Sequence, residues 1–93
     1  MFERILSRIK EKVRSRQYVM TLHAEEEMAD DEFSIFDIEG AILTGQIVGR
    51  QKDSTSAEWK YIVRGHGLAD DSIAVVVKLS LTGKLVIITV YRD

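Results

Sequence analysis

The chain has 93 residues, 45% of them apolar, which suits one small domain with one core (1–93) that buries only about 60–65% of its unfolded surface and so invites a second subunit or partner. It has neither cysteine nor proline, which excludes disulfides, thiolate metal sites, cysteine nucleophiles and turns set by a fixed φ. The net charge of −2 hides a segregation: residues 1–16 carry six Lys or Arg against two Glu, residues 23–39 carry eight carboxylates and no base, and the rest carries seven bases against five acids.

Phe2, Ile5, Leu6, Ile9 and Val13 recur at helical spacing, with Arg4, Arg8 and Lys12 at i,i+4 along the other side. This predicts an amphipathic first helix ending near Gln17. Its basic face suits nucleic acid, a membrane surface or the acidic segment of the same fold; an ordinary solvated face is the plain alternative. Charges throughout Met1–Val13 argue against a signal peptide or a membrane span, so the expected address is the cytoplasm, with no membrane partner.

Tyr18–Met20 reads as a short extended linker, and Thr21 as the N-cap of a helix to about Asp30. Glu25, Glu26 and Glu27 fall in its first turns, where the helix dipole favours anions. Ser34 caps the next helix with Asp37 as capping-box partner and Phe33 stapled onto Ile38. Ile35, Ile38, Ala41 and Ile42 form its buried stripe, and Gly45 is expected to end it in the left-handed C′ conformation.

From Ile47 the period changes to two, predicting strands at about Ile47–Lys52, Glu58–Gly65, Ser72–Leu81 and Lys84–Arg92, with loops at Asp53–Ala57 and Gly65–Asp71. Thr82-Gly83 as a two-residue turn sets Leu81 opposite Lys84. Strict alternation then sends Val75, Val77, Leu79, Val86, Ile88 and Val90 to the core, and Ala74, Val76, Lys78, Ser80, Leu85, Ile87, Thr89 and Tyr91 outward. With Trp59, Tyr61 and Val63 inward, Lys60, Arg64 and His66 join Tyr91 on the outer face. The fold expected is α+β, with N-terminal helices packed on one face of a four-stranded, mainly antiparallel sheet.

His23 and Glu27, at i,i+4, share a helix face, a spacing that orients an imidazole or supplies part of a metal site. A metal would need further ligands to which nothing in the sequence points, so neither a metal nor a cofactor is expected. Packing or capping by His23 at the helix start is the structural alternative. No Gly-x-Ser-x-Gly elbow is present, and Gly65-His66-Gly67 is too short for a phosphate loop. RNA cleavage asks for a base, an acid and a cation at phosphorus, and Arg64, Lys60, His66, Tyr91 and Arg92 supply such groups if they share one sheet face. Ordinary solvent-side residues are the alternative reading of that set.

The stations His23-Ala24-Glu25-Glu26-Glu27-Met28, Asp31-Glu32-Phe33-Ser34, Asp37-Ile38-Glu39-Gly40-Ala41-Ile42-Leu43-Thr44-Gly45 and Val86-Ile87-Ile88-Thr89-Val90-Tyr91 resemble a bacterial and cyanobacterial family of small domains of unknown function. That family's pattern runs His-Ala-x-x-Arg-Met, Arg-Gly-Ile-Ser, Asp-Val-x-x-Ala-Ile-x-x-Gly and Val-Ile-Ile-Thr-Val-Tyr. The likeness covers about Tyr18–Arg92 and leaves the first helix (1–17) outside a family-like core (18–93). The order of elements is also similar to that of the BrnT-type toxins among the RelE-like ribonucleases. Glu27 stands where the family carries arginine, and Glu32-Phe33 is read against its Arg-Gly, so two positive charges give way to acidic or apolar residues. An acidic patch beside a site opposes phosphate binding.

What the resemblance implies is a toxin-like domain that binds or cleaves RNA, partnered by RNA or an antitoxin-like protein. His23, Arg64 and Tyr91 are its catalytic candidates; Lys60, His66, Lys78 and Arg92 form the ligand face. The alternative is a non-catalytic interaction module or homodimer, in which the basic first helix and the acidic second helix present the surface.

Overall fold

Caps and periods in the sequence account for most of the elements. The computed structural model describes residues 1–55 and 57–93, so Ser56, in the loop expected at Asp53–Ala57, lies outside the described residues. In chain order the elements are α1 (Glu3–Arg14), β1 (Tyr18–Met20), α2 (Leu22–Asp30), α3 (Ile35–Thr44), β2 (Gln46–Lys52), β3 (Trp59–His66), β4 (Ser72–Leu79) and β5 (Leu85–Arg92). The fold is α+β as expected, but the sheet has five strands in the order β1-β5-β4-β3-β2, and it is mixed. The correction comes from Tyr18–Met20, read as a linker, which pairs parallel to β5 as Tyr18 with Leu85, Val19 with Val86 and Met20 with Ile87. Three residues are too few to show a period, so nothing local distinguishes this edge strand from a linker.

α1 sends Ile9 and Val13 into the core, with Phe2, Ile5 and Leu6 packed beside them. It ends with Gln17 N–H donating to the Lys12 carbonyl at 2.8 Å and Arg16 N–H to that of Val13 at 3.1 Å, Arg16 taking the left-handed φ of 58°. α2 ends the same way, with Phe33 N–H on the Met28 carbonyl and Glu32 at φ 59°. Both are Schellman ends with a charged residue where glycine is usual.

α3 starts with the expected capping box between Ser34 and Asp37. Its end differs from expectation: Gly45 is extended, φ −87° and ψ 170°, not left-handed. Close approach is what requires glycine here. A Cβ on Gly45 would lie 2.5 Å from the Ala41 carbonyl oxygen and 2.7 Å from Val63 Cγ1, and one on Gly65 only 1.9 Å from the same oxygen. Without those two side chains α3 lies directly on β3.

The last hairpin also departs from expectation. Ser80 N–H donates to the Lys84 carbonyl and Gly83 N–H to that of Ser80, with Gly83 at φ 88°, so Leu81, Thr82 and Gly83 make a three-residue loop. Near the loop Leu79 pairs with Leu85, Lys78 with Val86 and Val77 with Ile87. A bulge then restores the expected register, with Val76 opposite Thr89, Val75 opposite Val90 and Ala74 opposite Tyr91. Ile88 is the extra residue, and Ile88 and Thr89 both fall between the buried Ile87 and Val90. Leu85 and Ile87 are therefore core residues and Val86 and Ile88 are not, the reverse of what alternation predicted.

The bulge is held from α2. Thr21 N–H donates to the Ile87 carbonyl at 3.0 Å and Thr21 Oγ1 to that of Ile88 at 3.0 Å, while the same Oγ1 accepts from Ala24 N–H at 3.1 Å as the helix N-cap. The core gathers Ala24 of α2, Ile38, Ala41 and Ile42 of α3 and the two α1 residues above Tyr61, Val63, Ile73, Val75, Val77, Leu85, Ile87 and Val90. All three helices thus serve one sheet face. No helix among the described residues is long and apolar enough to cross a membrane.

Thr21→Val removes the cap and the Ile88 anchor together, and its expected cost is about 1–3 kcal/mol in urea denaturation, with Thr21→Ser retaining most of it. Tyr18 Oη donates to Glu39 Oε2 at 2.5 Å, and burial first, then this bond, pushes the phenol up to about 12. The neutral phenol is the form the fold favours, so its contribution is complete below pH 10 and disappears as pH rises towards 12. An alkaline absorbance titration should find one tyrosine titrating near 12, and Tyr18→Phe should remove that step.

Candidate functional site

β3, β4 and β5 each present alternate residues to the side away from the helices. Register places Arg64, Ala74 and Tyr91 in one row, Ile62, Val76 and Thr89 in the next, and Lys78 beside Val86 beyond the bulge. β1 adds Val19, opposite Val86, and β2 sets Gln51 beside Lys60. Ala74 is fully buried although its row faces away from the helices, so its long neighbours Arg64 and Tyr91 shade it. The middle of the face is apolar: Ile62, Val76, Val86 and Ile88 are partly exposed, and Val19 is 44% exposed.

The sheet brings Lys60, Arg64, His66, Lys78 and Tyr91 onto this outer face, as alternation predicted for β3 and the far half of β5. It does not bring Arg92 there. Arg92 pairs with the buried Ile73, lays its guanidinium 4.7 Å from the Phe33 ring, donates to the Asp31 carbonyl at 3.2 Å and pairs with Asp71 at 3.1 Å. It ties the α2–α3 turn to the β3–β4 loop on the helix side.

Lys78, Arg64 and His66 each stand beside a carboxylate. Lys78 Nζ lies 3.3 Å from both Asp53 Oδ2 and Glu58 Oε1, contacts that raise its pKa. Asp53 is held down at about 2 by the N–H and hydroxyl of Thr55, and then by Lys78. Arg64 pairs with Asp93 at the end of β5. His66 Nδ1 stands 3.9 Å from Asp70, both largely exposed. The loop carrying Asp70 is fixed by Asp37, which accepts Leu68 N–H at 2.8 Å and lies below the usual carboxylate range through the Ser34 and Leu68 N–H groups. Lys60 sits four residues from Arg64 along β3, about 13 Å, and six from His66, about 20 Å, too far for one phosphate to engage all three.

His23 stands apart from this face, on α2, with Nε2 3.3 Å from Glu27 Oε1 and its side chain 66% exposed. The chemistry of that pair centres on Glu27. Beyond Ile87 the edge of β5 has no strand beside it, because β1 ends at Met20, and Glu27 Oε1 accepts the Val90 N–H at 3.0 Å. Glu27 thus caps an open sheet edge, a role invisible in a helical wheel. Among the described residues no three His, Asp or Glu side chains converge as a metal site needs. Recesses lie along α1, including one of about 160 Å³ bounded by Phe2, Leu6 and Ile47, and these are not lined by His23, Arg64 or Tyr91.

Sequence reasoning missed the acidic partners Asp53, Glu58 and Asp93 and the apolar centre of the face. The available signal was the near-continuous apolar character of Ile73–Val77 and Leu85–Ile88, which belongs to strands covered on both sides. For the edge cap, Glu27→Ala should cost about 1–3 kcal/mol in chemical denaturation by orphaning the Val90 amide, Glu27→Gln should recover much of it, and His23→Ala should stay within about 0.5 kcal/mol.

Against known proteins, no curated protein and no solved structure matches the chain. One family model, described as Domain of unknown function (DUF4258), matches residues 20–92, which leaves α1 outside and takes in everything from the end of β1 to Arg92. The chain belongs to that family of domains of unknown function, DUF4258.

Proposed function

We propose that this chain is a non-catalytic interaction module that docks through the uncovered face of its sheet. The observation that carries the reading is a mismatch between strands and layers. β4 and β5 have the apolar runs of strands buried on both sides, yet all three helices pack on one side. The other side keeps Ile62, Val76, Val86 and Ile88 along its middle and Val19 on the β1 edge, with ion pairs towards its ends. An apolar patch rimmed by polar groups is the usual form of a protein-binding surface.

The same geometry weighs against the toxin-like, RNA-directed reading. RNA binding draws on cations free to replace counterions, and here Lys78 sits between two carboxylates, Arg64 is paired and Arg92 belongs to the helix side. Incubation of the pure protein with single-stranded and structured RNA at low salt should give neither cleavage nor salt-dependent binding. Cleavage that is abolished by Arg64→Ala or His66→Ala would overturn the proposal.

A further inference from the structure

Resting on that reading, we infer that the partner seated on the outer sheet face is a second copy of this chain, packed face to face about a two-fold axis. A two-fold interface sets one patch against its own image, so a patch of single charge repels itself. Two surfaces of this chain fail on that ground. Residues 1–16 carry six bases against two acids, and residues 23–39 carry eight carboxylates and no base. The outer sheet face fares better, because two of its cations are already matched within one chain, Arg64 with Asp93 and Lys78 with Asp53 and Glu58, and Lys60 lies towards one end of it.

Dimensions agree. Five strands at about 4.8 Å spacing and five or six residues at about 3.3 Å make a patch roughly 24 by 18 Å. Each patch is about 430 Å² in projection, so two face to face cover roughly 900 Å² in total, the size class of weak, transient association. Geometry puts the most apolar row at the centre: β4 is the middle strand of the five, and Val76 lies midway along it, between Ile62 and Thr89. Aligned sheets stack about 10 Å apart with their strands turned by about 30°. In that arrangement Val76, Ile62 and Ile88 of one copy meet the same residues of the other, and the ion pairs lie towards the two ends. The bulge contributes directly, since it turns Ile88 as well as Thr89 outward.

Sedimentation equilibrium over a wide concentration range tests the inference on the full chain. The expected result is a monomer–dimer equilibrium with a dissociation constant of about micromolar order, as befits a patch of this size. Val76→Lys and Ile62→Lys each bury an unmatched charge in the dimer and should weaken it roughly 100-fold or more. Leu43→Lys, at an exposed apolar position on α3, should leave it unchanged. Both sheet positions are partly exposed in the single chain, so circular dichroism of the dilute variants should match the parent, and either variant serves if the other fails to fold. Intermolecular NOEs from Val76 and Ile62 methyls in a mixed labelled and unlabelled sample should accompany the dimer. A dimer indifferent to both sheet variants would overturn the inference. So would a monomer at every concentration, including one whose dye-binding apolar surface disappears in Val76→Lys; that result would leave the docking reading in place with a different protein as occupant. RNA cleavage would instead remove the docking reading itself.

Discussion

One hydroxyl sets much of this structure. Thr21 Oγ1 accepts from Ala24 N–H and donates to the Ile88 carbonyl, while Thr21 N–H donates to the Ile87 carbonyl. The first bond starts α2 and the other two hold adjacent carbonyls of β5 towards the same neighbour, which regular alternation along a strand does not allow. The bulge that results decides which of the four residues Leu85–Ile88 are core. Each bond contributes only about 1 kcal/mol net. Their joint effect is larger in kind, because a one-residue change of register inverts a strand.

The acidic α2 follows from the same edge. β1 is three residues long, so β5 outruns it and exposes backbone from Ile88 onward. Open strand edges are sites of unwanted pairing unless covered. Here the cover is a helix whose Glu27 takes the Val90 N–H. His23 beside it is an exposed companion of that carboxylate. Part of the acidity of residues 23–39 is therefore architectural, through Glu27 at the edge, Asp37 in the capping box and on Leu68 N–H, and Glu39 on Tyr18.

The outer sheet face shows how charge and apolar surface are apportioned. Two of the cations that read as a nucleic-acid surface have carboxylates from other parts of the chain: Asp53 and Glu58, from the β2–β3 connection, flank Lys78, and Asp93, from beyond β5, pairs with Arg64. Pairing of these two cations weakens the local field that would attract phosphate, and on the proposed docking reading recognition falls to the row of branched side chains between the pairs.

The sequence by itself determined the three helices, their caps at Thr21 and Ser34, the four longer strands and the inward set of β3, because each rests on contacts within a few residues or on a period sustained over a whole element. Close approach of α3 to β3 at Gly45 and Gly65 left only glycines in the sequence; Gly45 reads there as conformational and is steric. The tertiary structure alone decided that Tyr18–Met20 is a strand, that β5 carries a bulge at Ile88, that Arg92 faces the helices and that Glu27 caps a sheet edge. Each of these depends on a partner more than fifty residues away, and a period or a cap read along the chain carries no information about which distant backbone group stands opposite.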